Sequence, residues 1–148
     1  MKKQEIIKLA YTAGIMDGEG SVFLFKSKPK GKCFFQYWLT VRISNTNEWL
    51  IHWLKFNYGG NINISKSPKH PEWAMCFRWE LHGEKAAEFL ASIIPFLYLK
   101  KPQAEIALKF RDSIKVTHKN LTEEELAVRE AQYITMRSYN QKGRATKT

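Results

Sequence analysis

Leu9-Ala10-Tyr11-Thr12-Ala13-Gly14-Ile15-Met16-Asp17-Gly18-Glu19-Gly20-Ser21 is the stretch on which the reading of this chain turns. Ile6, Ala10, Ala13, Gly14 and Asp17 recur at the spacing of one face of a helix with period 3.6. That face has almost no side chain, so another backbone can approach it closely, while Ile7, Tyr11 and Ile15 cover a different side. Gly18 and Gly20 are expected to end the helix in the left-handed conformation that glycine adopts readily, with Glu19 presented between them. The Glu19 carboxylate and the free Gly18 carbonyl then form a hard-oxygen corner of the kind that Mg²⁺ accepts. A capped structural helix followed by a strand would leave the same trace, so the remaining sequence has to decide.

The chain of 148 residues, 44% hydrophobic, is long enough for one core and short for two. Lys and Arg number 24 against 14 Asp and Glu, a net charge of +10 that favours a polyanionic partner, nucleic acid first among them. An anionic membrane surface is the competing partner. No membrane association is expected, because the longest apolar run, Phe89 to Leu99, contains Pro95 and is too short to span a bilayer. Met1 to Lys8 lacks the apolar segment of a secretion signal. Cys33 and Cys76 are far apart, which suits reduced thiols in an intracellular compartment and not a zinc site. His52, His70, His82 and His118 show no ligand spacing.

After the glycine-rich turn, Ser21 to Lys28 reads as a strand and Pro29-Lys30-Gly31 as a turn. Phe34 to Ser44 alternates cleanly, with Tyr37, Leu39, Val41 and Ile43 on one face and Gln36, Trp38, Thr40, Arg42 and Ser44 on the other. Such side chains hydrogen-bond base edges, and a two-stranded ribbon fits the major groove, although the solvated side of any antiparallel sheet is equally polar. Asn45 or Thr46 is expected to cap a helix to about Asn57, with a stripe of Leu50, Trp53, Leu54 and Trp49, ended by Gly59 and Gly60. A strand Asn61 to Ser65 turns Asn61 and Asn63 outward, and a basic loop from Lys66 to Pro71 follows. A fourth strand, Trp73 to Leu81, places Phe77, Trp79 and Leu81 inward and Cys76, Arg78 and Glu80 outward. Trp49, Trp53, Trp73 and Trp79 are expected to be core or anchor residues. Glu84 to Ile94 reads as a helix with Ala87, Leu90, Ala91 and Ile94 inward, stopped at Pro95. Pro102 suits the first turn of a helix to about Lys115, with Ile106, Leu108, Phe110 and Ile114 as core candidates, so Lys100 sits at a junction. Thr122-Glu123-Glu124-Glu125 is a capping box for a last helix to about Arg137. The tail from 138 to 148 is basic, and mobility is expected there.

This order gives an α+β fold in a single domain, residues 1 to 137, with a core over about 3 to 110 and an extra helix over about 122 to 137. The segment Thr12-Ala13-Gly14-Ile15-Met16-Asp17-Gly18-Glu19-Gly20 resembles the motif of the LAGLIDADG homing endonucleases, departing from it at Thr12, Gly18 and Glu19. The order of elements is similar to that family's α-β-β-α-β-β-α core, whose four-stranded antiparallel sheet forms a DNA-binding saddle. With one motif, the resemblance implies a symmetric homodimer packed through Ala10, Ala13, Gly14 and Asp17, with Asp17 at the helix junction and not on metal. It implies that Glu19 and Gly18 hold the catalytic Mg²⁺, with Mn²⁺ substituting and Ca²⁺ supporting binding without cleavage. Lys100, or Lys101 if the register shifts by one, would stand near the scissile phosphate. Asn45 would position water, a role that competes with its reading as a helix cap.

The implied activity is site-specific hydrolysis of double-stranded DNA, one phosphodiester per strand of a long pseudo-palindromic site, leaving short 3′ overhangs. Gln36, Arg42 and Arg78 are expected to read bases, with Glu80 accepting from cytosine. Trp38, Thr40, Ser44, Asn61 and Asn63 complete the surface, and Lys26, Lys28, Lys66 and Lys69 are expected on phosphates. The resemblance implies a mobile genetic element, intron-encoded or free-standing, in an organelle or in a bacterial or phage cytoplasm. Two other readings stay open: a cleavage-inactive relative serving as an intron RNA maturase or DNA-binding regulator, and an unrelated monomeric α+β domain that binds RNA.

Overall fold

Four segments pair into one antiparallel sheet, whose two middle strands bury one face and turn mostly polar side chains to the other. The computed structural model describes residues 1–115 and 121–141. Its elements are α1 (Lys3–Glu19), β1 (Gly20–Ser27), β2 (Gln36–Asn45), α2 (Glu48–Tyr58), β3 (Asn61–Ser65), β4 (Cys76–His82), α3 (Gly83–Ile93), a 3₁₀ turn (Ile94–Phe96), α4 (Lys101–Lys115) and α5 (Glu123–Gln141). The strand order is β1-β2-β4-β3. Val22 lies opposite Val41, Leu24 opposite Leu39, and Ile43 opposite Trp79, so the middle of one face is apolar. The helices pack on that face and leave the other bare. No helix among the described residues is long and apolar enough to cross a membrane.

The core joins Met16 of α1, Ile51 and Leu54 of α2, Trp79 and Leu81 of β4, Leu90 and Ile93 of α3, and Phe110 of α4. Each such side chain taken from water contributes about 1.5–3 kcal/mol before chain entropy is counted. The helix phases differ from the sequence reading in places. In α2 the buried residues are Ile51 and Leu54, and Trp49 is 64% exposed, because the sheet touches a narrower stripe than four aromatic and aliphatic positions would fill. In α3, Ala86, Phe89 and Ile93 face inward with Ala87 and Leu90, while Ala91 faces solvent. In α4, Ala104 and Ala107 are fully buried and Ile106, Leu108 and Ile114 only partly so. Small residues fill the closest helix contacts there. Trp73, expected inside, precedes β4 and is 57% exposed, stacked on His70.

The first helix ends differently from the expectation. Gly18 lies within α1, and Gly20 leaves it with φ −89°, an ordinary extended value, so neither glycine supplies a left-handed turn. Gly20 is required by space: a Cβ there would drive into the Met16 side chain and stand 2.7 Å from the Met16 carbonyl oxygen. Gly20→Ala is expected to cost about 1–3 kcal/mol, read as a lower denaturant midpoint at unchanged slope. Gly59 and Gly60 do end α2 with positive φ, 74° and 94°. Asn47, and neither Asn45 nor Thr46, caps α2, its Oδ1 accepting from Leu50 N–H at 3.1 Å. Thr122 caps α5 as expected, accepting from Glu125 N–H at 3.1 Å. That helix runs through Ser138 to Gln141, so the first four residues of the expected tail are helical. His118 and the tail from 142 lie outside the described residues.

Candidate active site and nucleic-acid interface

Because α1 passes into β1 without a loop, Glu19 is the last helical residue and stands exposed at the seam between helix and sheet. Gly20 pairs with Ile43 on β2, which brings Asn45, two residues further along, beside Glu19. Asn45 Nδ2 donates to Glu19 Oε2, and Asn45 Oδ1 accepts from Asn47 N–H at 2.7 Å. The amide is therefore held at both ends. The competition between capping and the site disappears, since Asn47 takes the cap.

Asp17 was grouped with the small face of α1, yet its carboxylate turns to a junction within its own chain. Oδ2 accepts from Tyr98 N–H at 2.8 Å, and Oδ1 accepts from Leu99 N–H at 3.1 Å and Lys100 N–H at 3.0 Å. These amides lead into α4, where a negative charge is favoured by the helix dipole. Lys100 Nζ returns to the Asp17 carbonyl oxygen at 3.0 Å. The end of α1 and the start of α4 are thus latched in both directions, and Lys100, not Lys101, reaches back to the acidic helix. Lys100 shares a polar cleft of roughly 760 Å³ with Gly20, Ser21, Arg42, Gln103 and Asn140. Asp17→Ala is expected to lower stability by about 1–2 kcal/mol, since three charge-assisted bonds are exchanged for partial hydration. A hydrogen-exchange comparison should show the amides of residues 98 to 100 losing protection first.

Ala13 is fully buried in its own chain, so it is unavailable to a second one. Ala10 and Gly14 remain exposed on α1, and Gly18 continues their row at four-residue spacing. A Cβ added at Gly14 or Gly18 would meet nothing within 4 Å. Together with Tyr11, Ile15 and Leu50 these residues form a shallow groove that ends at Glu19.

The bare sheet face carries Gln36, Trp38, Thr40, Arg42 and Ser44 of β2, Asn61 and Asn63 of β3, and Arg78 and Glu80 of β4, as their cross-strand registers require. Ser21, Phe23 and Phe25 of β1 join them. The sequence reading missed the two phenylalanines, although their odd-numbered spacing with Ser21 was visible. Phe25 and Trp38 pack with ring centroids 4.6 Å apart, and the Arg42 guanidinium lies 4.9 Å from the Phe23 ring centre. Thr40 is 2% exposed and bonded to His82 Nδ1 at 3.1 Å, so it is a buried link and no surface contact. Glu80 is 7% exposed and paired with Arg42 and Arg78, which rules out the expected free acceptor for cytosine. Lys28 and Lys66 are exposed just beyond β1 and β3.

Lys26 stands on the opposite face from the one expected, because even-numbered residues of β1 point toward the helices. Its Nζ pairs with Glu130 of α5 at 2.8 Å, and Tyr37 donates to the same carboxylate. The hydrogen bond from Lys26, then that from Tyr37, holds the Glu130 carboxyl below the usual range, while burial first and Glu130 second push the Tyr37 hydroxyl up. A depressed carboxyl contributes stability that is present above its unfolded pKa and lost as pH falls through the folded one. The stability difference between the wild type and Glu130→Gln is therefore expected to shrink on acidification through the carboxylate range, as thermal melts would record.

No group of three or more His, Cys, Asp or Glu side chains that could hold a metal occurs among the described residues. At the end of α1 one chain offers the exposed Glu19 carboxylate, beside the carbonyl groups that any helix end leaves free. Those are hard oxygens suited to Mg²⁺ or Ca²⁺, but too few by themselves.

No protein-family model matches the sequence, and no curated protein matches it. Solved structures do. The chain is similar to the homing endonuclease I-CvuI in complex with its target in the presence of calcium, with TM-score 0.75 and 15% identity over 99% of this chain and 89% of that one. It is similar to the archaeal intron-encoded homing endonuclease I-Vdi141I complexed with DNA, with TM-score 0.76 and 18% identity over 97% and 91% of the two chains. It also matches the LAGLIDADG homing endonuclease I-GzeII in complex with a DNA target, with TM-score 0.64 and 19% identity over 87% of this chain but 43% of that one. At these identities the likeness is one of fold.

Proposed function

From the premise that this chain has the fold of the LAGLIDADG homing endonucleases, we propose that it is a metal-dependent, site-specific DNA endonuclease acting as a symmetric homodimer. The observation that carries this reading is the meeting of Glu19, Asn45 and the Asp17–Lys100 latch at one edge of a bare, basic sheet. Sheet and acidic seam are separate devices, one suited to grip DNA and the other to hydrolyse it.

The homodimer follows from what one chain lacks. It holds one exposed acid at the site, and Ala10, Gly14 and Gly18 offer a bare helix row that a second copy of α1 could cover. Packing about a two-fold axis would bring Glu19 next to its twin, supplying the oxygens missing from each chain alone. It would also set two sheets in line, each reading half of a pseudo-palindromic site. One phosphodiester per strand would be cut, with short 3′ overhangs.

Glu19 and the Gly18 carbonyl would hold the divalent ion, Mg²⁺ in the reaction, which supplies charge neutralisation at the phosphate and a more acidic water. Asn45 fixes the direction of the Glu19 carboxylate through Nδ2. Lys100 brings a fixed cation beside the end of α1, where charge that develops on a phosphate would be stabilised. Arg42 and Arg78 read bases, Lys28 and Lys66 touch phosphates, and Phe25 and Trp38 offer an apolar surface to thymine methyl groups.

The test is a selection from a randomised duplex-DNA library, run with Mg²⁺ for cleavage and with Ca²⁺ for binding, alongside sedimentation of the free protein. Near-palindromic sites cut only with Mg²⁺, and a sedimenting species of two chains, are the expected results. Specific retention without cutting in either metal would replace this reading with that of a binding relative. A monomer that retains no DNA would turn the search to RNA.

A further inference from the structure

The centre of the bare sheet is occupied by an acid, which is unexpected on a surface meant for DNA. Glu80 sits in the middle of β4, opposite Arg42 on β2 and Asn61 on β3, with Arg78 and His82 two residues to either side. One carboxylate oxygen, Oε1, lies 2.8 Å from Arg42 Nε and 2.9 Å from Arg78 Nε, and the other, Oε2, lies 3.2 Å from His82 Nε2. His82 is held in turn by Thr40. Both oxygens are engaged, and the residue is 7% exposed, so Glu80 cannot reach a base edge itself. What it can do is hold the arginines.

We propose that Glu80 is a positioning residue for sequence reading, fixing Arg42 and Arg78 as a forked pair that selects two guanines in each half-site. This rests on the reading of the sheet as the DNA-contacting surface. Both arginines approach Glu80 through Nε, the guanidinium nitrogen nearest the backbone, and their side chains are 36% and 44% exposed. The terminal nitrogens therefore lie further out along side chains anchored at their inner ends. Arg42 is held a second time by the Phe23 ring. A guanidinium that offers its outer nitrogens end-on matches the O6 and N7 acceptors of guanine. An arginine already fixed loses less freedom when it binds, which sharpens the distinction between right and wrong bases.

Position in the sheet favours bases over phosphates. In the order β1-β2-β4-β3 the arginines occupy the two inner strands, whereas phosphates flank a groove and meet the rim. Arg42 faces Glu80 and Arg78 faces Ser44, which makes the arginines diagonal neighbours on adjacent strands. Such positions are roughly 7–8 Å apart, about two base-pair rises, so the two guanines should fall within three consecutive base pairs.

The experiment is the Ca²⁺ binding selection repeated with Arg42→Lys, Arg78→Lys, Glu80→Gln and Glu80→Ala, each checked for folding by its thermal melt. The wild type should select two guanines within three base pairs of each half-site. Arg42→Lys should weaken one of them and Arg78→Lys the other, each about tenfold. Glu80→Ala should weaken both together by about tenfold while binding to unrelated DNA does not fall. Glu80→Gln keeps the shape and a neutral acceptor, so both preferences should fall together by about threefold, and this variant decides the matter if Glu80→Ala does not fold. The proposal is overturned if both preferences survive in the Glu80 variants, or if the arginine variants weaken all sequences equally, as phosphate contacts would. Failure of the wild type to select any sequence would instead bring down the reading of the sheet, and this proposal with it.

Discussion

Glu19→Gln is expected to lower strand cleavage by about a thousandfold or more while leaving Ca²⁺-supported DNA binding within a few fold of the wild type. Gln has the shape of Glu, and its carbonyl oxygen can still accept from Asn45 Nδ2, so the seam between α1 and β1 should keep its geometry. What disappears is the negative charge. A neutral amide is a poor ligand for a hard divalent ion, and Asp17, the nearest acid in sequence, is committed to the amides of residues 98 to 100. Binding should survive, since removing an anion near two phosphates does not weaken their attraction to the basic sheet. The measurement is a single-turnover cleavage course on the selected site, with retention in Ca²⁺ measured beside it. A dimer built from one wild-type and one Glu19→Gln copy sharpens the test: if each acid serves mainly its own strand, one strand should be cut faster than the other. Cleavage at the wild-type rate in Glu19→Gln would remove Glu19 from the mechanism.

Trp79→Ala should cost about 3–5 kcal/mol, the largest stability loss we expect from one side chain. The indole is fully buried and packs against the Phe89 ring at 5.2 Å and the Tyr58 ring at 6.4 Å. Its Nε1 donates to the Gly59 carbonyl at 2.7 Å, which fastens the turn between α2 and β3 to the middle of the sheet. The chain passes so close there that a Cβ on Gly60 would stand 2.9 Å from that same nitrogen. Deleting the ring opens a cavity and leaves the carbonyl without its donor. Trp79→Phe separates the two contributions, keeping most of the packing and losing the hydrogen bond, at about 1–2 kcal/mol. The effect should reach the sheet's other face, since Arg78 and Glu80 flank Trp79 on the same strand. Chemical denaturation would give the stability change, and a loss of guanine preference in a folded Trp79→Phe would report the coupling. A loss below about 1 kcal/mol for Trp79→Ala would contradict the packing described.

How far the sequence could be read depended on whether a feature repeats. Strict alternation in β2 exposed its two faces at once, because a period of two leaves only two assignments. The row of small residues in α1 was equally plain, and with Asp17, Glu19 and the glycines it was enough to suggest the fold. Alternation in β1 is weak, and Lys26, expected on a phosphate, faces the helices. The charge is met instead by Glu130, more than a hundred residues away in sequence. Nothing local could disclose that partner.

Local sequence was enough for the order of helices and strands, the basic character, the acid at the end of α1 and the lysine before α4. These are fixed by local periodicity, composition and the conformational limits of glycine and proline. Which neighbour each polar group meets emerges from the packed fold: Asn45 with Glu19, Asp17 with the amides before α4, and Glu80 between two arginines. The fold also decided that Ala13 is packed within its own chain while Ala10 and Gly14 are left bare. The reason is physical. Helix and strand formation depend on residues a few positions apart, whereas the partner of a buried charge or a bare helix face is chosen by strand register and helix docking, which join residues distant along the chain.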